Sequence, residues 1–135
     1  MLLSMLIFNT VSHASDIRCY TSDGGKSKVI HLKLYLPENN LSMANVKYEN
    51  SIDGLDLFRI KVETLPPKNA VPAVVRITFI EIVENNKTGS YELTTVGARA
   101  TELIYKNLAK KSRYKFYEDE SRSDLGQDLC VWETH

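Results

Sequence analysis

The chain has 135 residues, 43% hydrophobic and 25% charged, with Lys+Arg and Asp+Glu matched at 17 each. That is one ordinary domain, and apolar residues spread along its whole length exclude a disordered chain. Zero net charge argues against a general nucleic-acid binder and against simple electrostatic attachment to anionic lipid.

Residues 1–8 form an apolar run too short to cross a ~30 Å hydrocarbon layer as a helix. Ser12, His13 and Ala14 follow, with small residues at the two positions a signal peptidase reads. Together these predict a signal peptide over 1–14, a mature domain over 15–135, and a secreted or periplasmic protein. No basic residue precedes the run, so either the true start lies upstream or the signal is weak; the competing reading is a buried first element of the fold. No later stretch is apolar enough for a membrane span. Cys19 lies too far past the cut to be a lipoprotein cysteine.

The chain has two cysteines, Cys19 and Cys130. In an exported protein they pair most simply with each other. A loop of that length removes on the order of 4–5 kcal/mol of unfolded-state entropy in the chain-entropy model. The pairing predicts that the first and last strands are neighbours and that their contact closes the sheet.

Residues 17–21 read as a short strand, followed by a turn at Asp23-Gly24-Gly25-Lys26. Ile30, Leu32, Leu34 and Leu36 then share one face, with His31 and Lys33 on the other. A third strand alternates Ala44, Val46 and Tyr48 with Asn45, Lys47 and Glu49. Asp53-Gly54 marks another turn. After it the apolar phase slips at Leu57-Phe58, which a β-bulge explains; the alternative is that Leu57 lies on the outer face. Pro66, Pro67 and Pro72 make 65–72 a rigid loop. Residues 73–84 are apolar on both faces, as in a well-covered strand. Asn85 to Gly89 is a turn, and Tyr91, Leu93 and Thr95 begin the next strand.

Residues 98–111 are ambiguous. Ala100, Leu103, Ile104 and Leu108 fit a helix, whereas Thr101, Ile104 and Tyr105 favour a strand; the strand over 101–107 is preferred. Residues 113–117 alternate again, 118–127 read as a polar loop, and 129–132 as the last strand, with Trp132 on the Cys130 face covering the disulfide. The whole is mainly β: a small closed or nearly closed antiparallel barrel or sandwich of about eight strands, with one helix near 98–111 as the open alternative.

No constellation of catalytic residues stands out. His31 is the sole histidine of the expected mature body apart from the terminal His135, and a lone histidine on a polar strand face is ordinary surface. The glycine turn lacks the spacing and following helix of a phosphate loop. The acidic segment Glu118, Asp119, Glu120, Asp124 and Asp128 lacks EF-hand spacing. Carboxylates are abundant, but no pair is singled out for glycoside chemistry. Catalytic, metal and cofactor residues are therefore expected to be none.

Asp23-Gly24-Gly25-Lys26, just after the first cysteine, and Thr95-Val96-Gly97-Ala98-Arg99 resemble segments of bacterial periplasmic inhibitors of c-type lysozyme. The resemblance covers these two short stretches and departs from the family at Ala100 and Thr101, where a tyrosine is expected. It implies a small exported β-barrel and inhibition of a lysozyme-type hydrolase.

The function expected is that of an exported binding or interaction protein without catalytic activity. Its partner is a protein or envelope component, not a nucleic acid. The competing readings are the lysozyme-type inhibitor, and a carboxylate-dependent envelope hydrolase or assembly factor. The candidate binding loops carry Leu65, Pro66, Pro67 and Pro72, and Glu118, Asp119 and Glu120: the first is stiff, the second charged.

Overall fold

A computed structural model describes residues 16–22, 29–37, 42–65, 73–97, 99–124 and 129–133. The expected signal segment, the Asp23–Lys26 turn, Ala98, and Pro66, Pro67 and Pro72 of the proline loop lie outside these residues. Eight strands form a closed antiparallel barrel: β1 (Asp16–Ser22), β2 (His31–Leu36), β3 (Met43–Tyr48), β4 (Leu55–Leu65), β5 (Val74–Val83), β6 (Asn86–Val96), β7 (Arg99–Asn107) and β8 (Arg113–Glu118).

Alternation drives each strand's inner face into one core. Leu32, Leu34, Ala44 and Val46 are buried as their spacing requires, because side chains at i and i+2 share a face. They meet Tyr20, Leu57, Phe79, Tyr91, Leu93, Leu103 and Phe116 in a single cluster. Leu57 therefore points inward and Phe58 outward. The bulge expected at Leu57-Phe58 occurs further on: the β4–β5 register shifts between Arg59 and Lys61. Thereafter Val62, paired with Ile77, lies on the core side.

The ambiguous stretch is strand β7, paired along β6 and β8. Its turn into β8 has no Gly or Pro. Instead, the Asn107 side-chain oxygen accepts hydrogen bonds from the amides of Ala109 (3.0 Å) and Lys110 (2.9 Å), and Lys111 takes φ 56°. An Asn side chain replaces the usual turn residues. Between β5 and β6 the turn is tighter than expected. Glu84 and Asn85 both have positive φ, as a two-residue hairpin turn of the primed kind requires, and Asn86 already belongs to β6.

Two expectations about the chain's end are corrected. Cys19 and Cys130 are bonded, with Cα atoms 5.9 Å apart, but β1 closes the barrel on β8, not on the segment holding Cys130: Tyr20 pairs with Glu118 and Ser22 with Phe116. Cys130 belongs to β10 (Leu129–Cys130), which pairs with β9 (Ser123–Asp124) in a separate two-stranded sheet. Trp132 is not on a strand at all: Val131–Glu133 form a 3₁₀ turn.

The segment after β8 is thus a strap across the outside of the barrel. Tyr20 faces the core, so its neighbour Cys19 faces out, in register with Lys33 and, beyond it, Lys47. The Asp119 amide bonds the Cys19 carbonyl at 2.8 Å. Trp132 stacks on His31 at 5.1 Å between ring centres. The Glu133 carboxylate sits 2.8 Å from Lys33 Nζ and 4.0 Å from Lys47 Nζ, and also accepts from the Cys130 amide.

Because the barrel closes without the disulfide, the variant C19A/C130A is expected to keep its β-sheet circular dichroism while melting well below the wild type. Removing a link with sequence separation 111 is expected to cost roughly 2–5 kcal/mol. The single Trp reports the strap directly: its fluorescence should change on reduction before the sheet signal does. Simultaneous loss of both signals would count against an independent barrel.

Candidate functional site

At the end of the barrel where β3 and β5 finish, a polar group is enclosed by the core. Ile77 and Phe79 point inward from β5, so Glu81 does too, and it is only 6% exposed. A second register shift, between Glu81 and Ile82, leaves Thr88 as the extra residue on β6. The bulge turns Thr88 onto the carboxylate, and its hydroxyl donates to Glu81 Oε1 at 2.6 Å. The Tyr91 hydroxyl donates to Oε2 at 3.5 Å and shares a short hydrogen bond with the Tyr48 hydroxyl. Tyr105 packs against Tyr91, ring centres 4.8 Å apart. Its ring occupies the place where a Cβ on Gly89 would stand, so a side chain at 89 would drive Tyr105 off the cluster.

The hydroxyls act as donors over the ordinary pH range. Burial pushes the Tyr48 phenol up to about 12, against the opposing pull of its bond with Tyr91. Tyr91 is raised further, first by burial and then by the neighbouring Tyr48 and Glu81. Tyr105 is raised by burial and by Glu81. Glu81 thus meets protonated hydroxyls. Its hydrogen bonds are to Thr88 and Tyr91. Beside the cluster, Ile30, His31, Tyr48 and Glu49 help line a depression of about 130 Å³.

The opposite mouth is plugged differently. Arg18 pairs in register with the core residue Leu34, which sets it on the inner side, and its guanidinium lies 3.4 Å from Glu118 Oε2. Among the described residues, the middle of the barrel is filled by the core cluster.

At that second mouth β4 and β5 outgrow the barrel. β3 pairs with β4 only from Leu55 to Phe58, whereas β4 continues along β5 to Leu65. Residues 60–65 of β4, with residues 74–78 of β5 that pair with them, therefore form an arm beyond β3, and its β5 side stays paired with β6 as far as Val96. Ile60 (60%), Val62 (49%) and Leu65 (39%) are exposed on it.

Of the sequence-derived site residues, Leu65 ends this arm and leads into the proline loop. Glu118 closes β8 and is held by Arg18. Asp119 accepts from the Ser121 amide and hydroxyl and pairs with Arg122 at 3.5 Å. Glu120 begins the 3₁₀ turn Glu120–Arg122. The two candidate loops leave the same end of the barrel from β4 and β8, which are not neighbours in the sheet. His31 shares a 2.9 Å hydrogen bond with Thr21 beneath the strap. Among the described residues, no group of three or more His, Cys, Asp or Glu is arranged to hold a metal ion, and no helix is long and apolar enough to cross a membrane. The polar cluster was not singled out from sequence, although Glu81 shares the parity of Ile77 and Phe79, a sign of an inward charge.

Comparison with protein-family models, with curated proteins and with solved structures gives no match.

The cluster makes the fold sensitive to alkali. A phenol whose folded pKa is raised contributes stability that is whole below the unfolded value, near 10, and is lost as pH rises through the folded one. Unfolding free energy should therefore fall between pH 10 and about 12 as Tyr48 ionises, a drop that Y48F reduces in denaturant titrations across that range. At neutral pH, Y91F should destabilise by about 1–3 kcal/mol, since it strips a donor from Glu81 and orphans Tyr48. An unchanged denaturation midpoint would count against the cluster.

Proposed function

We propose that this is an exported binding protein without catalytic activity, which takes a protein or envelope component on the β4–β5 arm and the proline loop at its tip. One observation supports the reading: past the end of β3, β4 exposes Ile60 and Val62 on its core-side face and Leu65 on the other. Apolar surface of that kind is a mark of contact with a partner, and a loop stiffened by proline loses little entropy on docking. The disulfide is compatible with an oxidising extracellular or periplasmic compartment. The balanced charge speaks for a protein or polymer partner over nucleic acid.

A second reading, inhibition of a lysozyme-type hydrolase, is favoured by the position of Gly97. It follows β6 at the same end of the barrel with φ 61°, its amide bonded to the Ala73 carbonyl at 3.2 Å, so the Thr95-Val96-Gly97 stretch stands beside the tip of the arm, where Val74 pairs with both Leu65 and Val96.

Capture from an envelope extract tests the first reading. Alanine replacements at Leu65, Pro66, Pro67 and Pro72 should abolish partner recovery while the melting curve stays near that of the wild type; replacements at Glu118, Asp119 and Glu120 form the comparison set. Full recovery with both sets would move the surface elsewhere. Added to c-type lysozyme digesting cell-wall peptidoglycan, the purified protein should slow turnover if the second reading holds, and an unchanged rate at excess protein would remove it.

A further inference from the structure

The free margin of β4 has a partner written into its own sequence. The last β3-side bond runs from the Arg59 amide to the Ser42 carbonyl, 2.8 Å. Past it, no strand among the described residues pairs with 60–65 on that side. Pro66, which lacks an amide hydrogen, bounds the stretch at its other end. An extended segment of this kind, with one row of backbone donors and acceptors open, is a template for another strand. Charged residues normally protect such an edge. Here Lys61 and Glu63 lie on the same face of the strand, 3.0 Å apart, with side chains 62% and 37% exposed, so the protective charges cancel locally.

We propose that residues 60–64 pair antiparallel with the same residues of a second copy of this chain, about a two-fold axis through Val62. The register follows from two constraints. A two-fold perpendicular to the sheet keeps each face on its own side, so residues directly opposite must have the same parity; a slip by one would set core-side residues against outer ones. Among the allowed registers, an axis through Lys61 sets lysine directly against lysine, and an axis through Glu63 sets glutamate against glutamate. Only the axis through Val62 places Lys61 opposite Glu63 of the second copy, twice over. On the core side it brings Val62 against its own copy and Ile60 against Thr64. Like charges directly opposite destabilise a strand pair and unlike charges support it, so the sequence itself selects the antiparallel copy over a strand of arbitrary charge. The contact is isologous and closes as a dimer. It buries Ile60 and Val62, which are 60% and 49% exposed in the single chain. The pairing competes with the binding reading above for Ile60 and Val62, and self-association decides it without reference to partner capture.

Sedimentation equilibrium of the purified protein over a wide concentration range tests the pairing. Monomer and dimer should exchange with concentration, and amide hydrogen exchange over 60–64 should slow as the dimer forms. K61E and E63K each set like charges opposite at both cross-strand positions and should raise the dimer dissociation constant roughly tenfold or more. K61E/E63K restores opposite charges and should return it to near the wild-type value. Both positions are on the surface, so the melting curves should stay together. A wild type monomeric at every concentration would overturn the proposal, as would single reversals without effect, a double variant that fails to recover, or exchange over 60–64 that ignores concentration. A monomer that instead takes up a synthetic extended peptide along 60–65 would assign the edge to a foreign strand and overturn the second copy.

Discussion

Closure of the barrel depends on a short ladder: three residue pairs between β1 and β8, from Tyr20–Glu118 to Ser22–Phe116. Backbone amides and carbonyls must find partners or water, and β1 and β8 are the strands that would otherwise leave open margins along the sheet. Their meeting makes an inside, and the inside dictates the rest: Tyr20, Leu32, Tyr91, Leu103 and Phe116 can share one cluster only because the sheet returns on itself. The ladder is short because the strands are unequal. β2, β3 and β8 have 6 residues each, whereas β4 and β6 have 11. A barrel made from strands of two lengths fits together along the shorter ones and leaves the longer ones projecting. The β4–β5 arm is the remainder.

Register shifts in β4, β6 and β7 reconcile these lengths, and each has a local consequence. At Ile60 the shift coincides with the end of β3 pairing, so the strand parts from its neighbour where its direction changes. At Thr88 it sets a hydroxyl beside Glu81, which a regular ladder would have placed on the opposite face. The enclosed carboxylate is tolerable because that bulge and the Tyr91 hydroxyl supply donors; without them a charge 6% exposed would be strongly destabilising. The same irregularities that free an edge at one end thus satisfy a buried acid at the other.

How far the sequence discloses this depends on the kind of signal. The alternation in β2 and β3 was legible because each strand has one apolar and one polar face. β7 was less plain, because its apolar residues fit both periods, yet the strand preferred over 101–107 is what forms; the feature that ends it, the Asn107 side chain acting as a turn, looks like any polar residue in a sequence. The bulge in β4 was readable as a phase slip, but its position was not: two adjacent apolar residues, Leu57 and Phe58, suggested a slip where one simply faces the core and the other solvent. The end of the chain misled for a related reason. Leu129 to Trp132 alternates as a strand would, yet β10 stops after two residues, matched to the two of its partner β9. Among the site candidates, Leu65 and the loop after it are legible from the prolines alone, and residues 66–72 lie outside those described. Glu81 could not be ranked among 17 acidic residues without knowing which parity was inside.

A disulfide on the outer surface has a different meaning from one that closes a sheet. The barrel's ladder is complete without Cys130, so the bond holds down a strap whose other ties include two residue pairs between β9 and β10, the amide of Asp119 on the Cys19 carbonyl, and the contacts of Trp132 and Glu133. Short two-stranded ribbons are marginal in water. The covalent link turns the remaining contacts into intramolecular events of high effective concentration, which is how a single stack on His31 and one carboxylate between Lys33 and Lys47 can stay formed. Both cysteines are fully buried, beneath the strap they anchor. Burial shields the bond from reductant, and the bond preserves the burial, so the strap protects the link that holds it. The strap lies against the outer face of β1 to β3, through the disulfide at Cys19 and the Glu133 contacts to Lys33 and Lys47.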